Sequence, residues 1–227
     1  PVAPVYKDVL SLWKTSKTGY TPTLIVNYAG MSGEYYWYQK SNVWENKTLL
    51  KYTPRYVVDT RSRHRMMIPD AEYKNGHILT SKTVTALANE GVKVNLGAHG
   101  QLQGLGAHWE LWMLQQGGMS NYQALEAATI NGAAYIGVDD EIGSLKKGKL
   151  ADLIVLDKNP LVNIQNSNSV IYTMINGRLY DVSTMNEIGN YDKKRTKFYW
   201  ENGHFNQGVP VNTQTNSFTR PTCSCHN

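Results

Sequence analysis

The sequence predicts an α/β chain, and three observations carry that reading. A helix, a glycine and a buried strand follow one another twice before the chain's midpoint. A strand then runs into a Gly-rich loop, Val94-Asn95-Leu96-Gly97-Ala98-His99-Gly100, and another helix opens soon after. From Gly143 onward the texture changes to short strands around Asn176-Gly177, the strongest short-range hairpin signal.

Each element follows from its residues. Tyr6 to Lys17 reads as a helix with Val9, Leu10 and Trp13 on one face and Gly19 as its stop. Thr21-Pro22 then leads into a continuous apolar strand, Thr23 to Tyr28. The second helix is expected from an N-cap at Thr80 or Ser81, through Val84, Leu87 and Ala88, to Gly91. The strand Val92 to Leu96 follows it. Between the two units, Ala29 to Leu79 is rich in Tyr, Trp and charge. Stretches this long inside a compact domain are functional or carry short elements of their own. Past His108, Trp109, Trp112 and Met113 recur at helical spacing up to Gly117-Gly118. Ser120 with Gln123 makes a capping box for the next helix, whose core face is Tyr122, Leu125, Ala128 and Thr129. The turn 143–149 opens a strong strand over 150–157, and Val170 to Ile175 pairs with Arg178 to Tyr180. Beyond about Asn186 the chain is polar and poor in aliphatics, a segment expected to wrap the surface or stay disordered.

Composition narrows the function classes. The 227 residues are 41% hydrophobic and 18% charged, enough for a sizeable core. A formal charge of +5 is mild, and the basic clusters at 61–65, 146–149 and 193–195 read as solvated surface. No nucleic-acid fingerprint accompanies them, so a DNA or RNA binder is not expected. No apolar run approaches the roughly 20 residues of a membrane span. The chain opens on Pro1-Val2-Ala3-Pro4 with no signal-peptide pattern, and its numbering is expected to start inside a longer product. Tyr (15) and Trp (6) far outnumber Phe (3), which suits wet clefts and interfaces. Cys223, Cys225 and His226 offer soft-metal ligands or intermolecular thiols, but a frayed end makes a poor closed metal site. The bland reading of these residues is a terminus with two inert thiols.

Several residues have chemistry to offer. His99, at a strand's C-terminal end, has an imidazole able to ligate zinc or act as a general base. His108 opens a helix, with Glu110 two residues on, and both could face the same loop. Gln101 and Gln103 could orient a substrate through their amides. His64 lies among arginines, where an anionic substrate could bind or the loop is simply solvated. Glu34 and Tyr35-Tyr36 could line the mouth. Gly100, Gly104 and Gly106 are not a phosphate loop, since no Gly-Lys-Ser/Thr follows, and they permit tight turns instead. Asp152, inside the strand module, reads as structural.

In order, these pieces resemble the C-terminal half of the amidohydrolase superfamily. The match runs from Leu96-Gly97 and His108-Trp109-Glu110-Leu111 through Gly118-Met119-Ser120 and Ala124-Leu125-Glu126-Ala127-Ala128-Thr129. It continues in Gly143-Ser144-Leu145, Gly148-Lys149-Leu150-Ala151-Asp152-Leu153, Asp157-Lys158-Asn159-Pro160-Leu161 and Asn176-Gly177. Thr21-Pro22-Thr23-Leu24 is similar to the penultimate barrel strand of imidazolonepropionase-like members, and Gly97-Ala98-His99-Gly100-Gln101 to the branch carrying a TolB-type propeller. The resemblance implies a fold: the C-terminal part of a (β/α)8 metallo-dependent hydrolase barrel (1–142) plus half of a small antiparallel β-sandwich (143–185), with a polar tail (186–227). It implies a divalent metal, zinc in most members, that activates water to hydrolyse carbon–nitrogen bonds of small-molecule or peptide-like substrates. His99 stands where the family's metal-binding aspartate is expected, which makes it both the catalytic and the metal-site candidate, with Gln101, His108 and His64 as substrate contacts. No His-x-His pair occurs in the chain, so the remaining ligands are expected upstream or on a separate chain. Open barrel edges should not be stable alone, so tight association and an oligomeric assembly are expected. The resemblance implies a place in the periplasm or outside the cell, with the cytoplasm as the alternative. The competing readings are a non-catalytic scaffold that keeps the fold and a carbohydrate or peptide binder built on the aromatic stretch.

Overall fold

A computed structural model describes residues 7–26, 33–63 and 67–202. The chain divides into two compact units, 1–195 and 196–227. In the second, the described residues form a short turn at Tyr199–Asn202, with Phe198 stacked on Trp200 at 4.5 Å.

The first unit opens with helix α1, Lys7–Ser16. It stops at Lys17, which adopts φ +54°, and not at Gly19. Gly19 serves close packing instead, because a Cβ there would lie 2.5 Å from the Tyr135 ring. The stretch 29–79 carries helices of its own: α2 Gly33–Lys40, α3 Lys47–Tyr52, α4 Arg55–Arg63 and α5 Asp70–Tyr73. A π turn at Lys74–Ile78 joins α5 to α6, Leu79–Asn89. The N-cap expected at Thr80 or Ser81 is therefore absent. The Thr80 hydroxyl donates back to Gly76 O (3.0 Å), and Ser81 Oγ donates to Met113 O (2.6 Å), tying α6 to the next helix. Gly91, at φ +86°, closes α6 as expected.

The two expected parallel strands reduce, among the described residues, to one bridge. Tyr20 pairs with Val94 in parallel, its N–H donating to Lys93 O (2.9 Å) and its carbonyl accepting from Asn95 N–H (2.8 Å). Residues 24–26 form a turn instead of continuing the strand; 27 and 28 lie outside the described residues. Thr23 adopts φ +51° and its carbonyl accepts from Val26 N–H at 3.2 Å. The Leu24 and Ile25 N–H groups, which a ladder would have used, are claimed by a side chain far along the chain.

That side chain belongs to α7, Leu105–Gln116, the helix that Trp109, Trp112 and Met113 predict. Trp109 and Met113 are fully buried and Trp112 nearly so. Trp37, from α2, lies parallel to the Trp109 ring at 6.3 Å and edge-on to Trp112 at 5.3 Å. Helix α8, Asn121–Ala127, starts on the expected capping box, with both Ser120–Gln123 bonds formed. Helix α9, Ile130–Tyr135, follows.

Four strands complete the unit: β1 Leu153–Leu156, β2 Val170–Ile175, β3 Arg178–Asp181 and β4 Glu187–Ile188. They form an antiparallel meander in sequence order. Asn176 and Gly177 sit at φ +49° and +77°, the two left-handed positions of a type I′ turn. Asp152 Oδ1 accepts the Asn176 N–H at 2.6 Å, which fixes the hairpin and gives Asp152 its structural role. The meander runs past residue 185, where buried Glu187 on β4 takes a bidentate pair of bonds from Arg178. Among the described residues no helix is long and apolar enough to cross a membrane.

Candidate active site

His99 occupies the tightest turn of the chain's Gly-rich loop. Gln101 N–H donates to Ala98 O at 2.9 Å, and between them His99 and Gly100 adopt φ +52° and +68°. Two successive left-handed residues define a type I′ geometry. Glycine takes it without penalty, but histidine does so at a cost of order 1 kcal/mol. The imidazole is exposed. A strained, exposed, chemically able side chain at the end of a parallel pair is where a functional residue is expected.

The loop is held from both sides by glycines that admit no Cβ. At Gly97 a Cβ would come within 2.5 Å of Thr21 Cγ2 and 2.9 Å of Thr23 Oγ1, so the loop's entry lies against 21–23. At Gly106 it would fall 2.1 Å from Gln101 O, so the loop's exit is pressed onto the first turn of α7. Gln101 is half-buried in this arrangement.

Glu110 on α7 is fully buried, and its two carboxyl oxygens each accept a backbone N–H at 2.7 Å, one from Leu24 and one from Ile25. Burial pushes its pKa up to about 8, against the downward pull of the two N–H bonds. Desolvation therefore outweighs the hydrogen bonds in setting its charge. The burial also raises Tyr20 and Tyr73, with a smaller contribution from Glu110 in each case. Glu110 and His108 do not share a loop. The signal for Glu110 was present in the sequence: one carboxylate inside Trp109–Leu114, a helical run otherwise apolar all round.

His108 turns toward the strand module. Its Nδ1 lies 3.0 Å from Ser167 Oγ, which also accepts the Trp112 Nε1–H at 3.0 Å. With the indole donating to that oxygen, the Ser167 hydroxyl hydrogen is available for a neutral His108 Nδ1. Burial lowers the His108 pKa. The folded state thus prefers the neutral ring, so this contribution to stability is complete above the unfolded pKa of about 6.5 and is lost as pH falls below it. In denaturation curves, His108→Asn is expected to show a shallower loss of stability than wild type below about pH 6.5. Curves that run parallel across that range would contradict this.

Of the other candidates, His64 lies outside the described residues. Glu34 is buried at the start of α2, where it accepts from the Tyr38 hydroxyl at 3.0 Å. His77 is fully buried on the π turn and stacked on Tyr73 at 5.2 Å, against Gly33. A separate cleft of about 890 Å³ is lined by α8, the 139–149 turn and Leu161, and His99 is not part of it. Its acids (Glu126, Asp139, Asp140) match its lysines (Lys146, Lys147, Lys149) in number, and the Lys149 ammonium is already taken by the Asp139 and Ile142 carbonyls.

The described residues contain no group of three or more His, Cys, Asp or Glu side chains placed to hold a metal ion. They do not by themselves form the metal centre that the resemblance implies.

Comparison with known proteins gives the frame. The chain is 34% identical over 111 residues to a 5-methylthioadenosine/S-adenosylhomocysteine deaminase of Teredinibacter turnerae, covering 43% of this chain and 25% of that protein. It is 56% identical over 39 residues to the imidazolonepropionase of Symbiobacterium thermophilum, 17% of this chain and 9% of that one. Among solved structures, a Xaa-Pro dipeptidase with methionine bound in its active site matches with a TM-score of 0.52 at 22% identity, over 78% of this chain and 37% of that chain. The chain thus spans a quarter or less of these curated relatives and little over a third of that solved structure. The model of the amidohydrolase family matches residues 48–180, more than half of the sequence, and the chain belongs to that family.

Proposed function

We propose that this chain supplies one wall of a hydrolytic site that acts on carbon–nitrogen bonds, with the other walls contributed by residues outside it. The observation that supports this most is His99: an exposed imidazole held in a left-handed turn that glycine would fill at lower energy. The name of one relative, a 5-methylthioadenosine/S-adenosylhomocysteine deaminase, denotes chemistry at a carbon–nitrogen bond. In this reading His99 accepts a proton from the water that attacks the scissile carbon, or would help ligate the metal that activates that water, and Gln101 orients the substrate. A divalent metal, zinc in our reading, would be bound mainly by ligands beyond the described residues.

The missing portion, from the same polypeptide or a separate chain, also covers apolar surface on the meander. Ile154 and Ile175, on one sheet face, are 55% and 63% exposed. Surface of this kind favours a second sheet packed over it, the sandwich that the resemblance implies, and an assembly larger than this chain. Residence in the periplasm or outside the cell rests on the resemblance alone.

The test is hydrolysis by the whole protein of three substrates, read as ammonia release from an adenosine-type nucleoside, ring opening of an imidazolone and amine release from an N-acyl amino acid. Hydrolysis of at least one is expected, with loss on chelation and recovery on adding zinc. Failure on all three, or activity indifferent to chelation, would contradict the proposal.

A further inference from the structure

The 20–25 segment and α7 meet across 86 positions of chain between Leu24 and Glu110, and the loop that carries His99 runs between them. One side chain joins the two. We infer that Glu110 is a positioning residue for His99, acting through the Leu24–Ile25 backbone and the Thr21/Thr23–Gly97 contact; this rests on the function proposed above for His99.

Every link is a close contact. Glu110 belongs to α7, whose first turn carries the loop's exit through Gly106 and the Gly106 N–H to Leu102 O bond of 2.9 Å. Its two oxygens reach across to Leu24 and Ile25, both fully buried, at 2.7 Å each. The same short segment carries Thr21 and Thr23, and against these Gly97 is packed with no room for a Cβ. Gly97 stands two residues before His99. The loop 97–104 is therefore clasped between α7 and the 20–25 segment, and Glu110 is the side chain that joins the two jaws. An apolar side chain at this position would leave two buried N–H donors without an acceptor. What the carboxyl adds is two directional bonds to adjacent N–H groups, which fix the distance and rotation of one jaw relative to the other.

Glu110→Gln isolates this function. The amide keeps one acceptor oxygen and turns an NH2 donor toward the second N–H, so one of the two bonds is lost with little change in volume. In the whole protein, amide hydrogen exchange across 20–26 is expected to rise about tenfold and that of 97–101 several-fold, while 153–188 is unchanged. The turnover number for the carbon–nitrogen substrate is expected to fall about tenfold with KM unaltered, the pattern of a misplaced reacting group. Exchange that rises at 20–26 but not at 97–101, or at neither, would overturn the inference. If wild type hydrolyses nothing, the proposed function fails, and the exchange measurement still decides the role of Glu110. If Glu110→Gln also loosens 153–188, the decision passes to Thr21→Ser, which removes only the methyl touching Gly97. That variant is expected to speed exchange at 97–101 with 153–188 intact, and no change at 97–101 would overturn the inference.

Discussion

Trp109→Ala is expected to destabilise the chain by about 3–5 kcal/mol, the cost of truncating a fully buried aromatic. Trp109 has no exposed surface, lies parallel to Trp37 at 6.3 Å and meets Tyr38 edge-on at 5.4 Å. It thus joins α7 to α2, and its neighbours cannot collapse into the gap because Trp37 is also braced by Tyr73 and Trp112. Aromatic pairs of this geometry add about 0.5–1.5 kcal/mol to the area they bury. Leu145→Ala, at a site 84% exposed, serves as the control and should change stability by less than about 0.5 kcal/mol. Urea denaturation followed by the remaining tryptophans checks both. A loss below about 1 kcal/mol at Trp109 would mean that α7 is not the centre of the core.

The elements legible in the sequence are those whose signals are local. The Ser120–Gln123 box and the Asn176-Gly177 turn formed as written, because each depends on residues a few positions apart. The Trp109–Met113 spacing likewise gave α7. The run Thr23–Tyr28 reads as a strand by composition, but the outcome at Leu24 and Ile25 is set by Glu110, more than eighty positions away. A period-2 or apolar pattern carries no information about a distant carboxyl that takes the ladder's donors. The π turn at Lys74–Ile78 is similarly silent, and it moved the start of the expected helix back toward Pro69. Among site residues, the His99 turn was found from its glycines. The direction of His108, toward Ser167, depends on where the strand module packs, which spacing alone does not give.

The buried polar groups of α7 divide the labour in a way that sharpens the reading of His99. His108 ties the helix to the strand module and Glu110 ties it to the 20–25 segment, so both are occupied by backbone or hydroxyl partners. His99 is the exposed one, and its backbone holds φ +52°, a conformation that exposed Lys17 and Asn176 also adopt at a helix end and a hairpin turn. What sets His99 apart from those two is a side chain with acid–base and metal-ligating chemistry at the end of the parallel pair.

His99→Gly separates these two contributions within one variant. Glycine accepts φ +52° freely, so the variant should be about as stable as wild type or more stable by up to about 1 kcal/mol. Loss of the imidazole should lower the turnover number by about 100-fold or more, the range for a group that transfers a proton in the reaction. The deciding measurement is kcat for carbon–nitrogen hydrolysis by the whole protein, wild type against His99→Gly, with the denaturation midpoint recorded on the same samples. A fall of about 100-fold or more at an equal or higher midpoint is predicted. A variant that turns over at the wild-type rate would contradict the assignment of His99 to the reacting site.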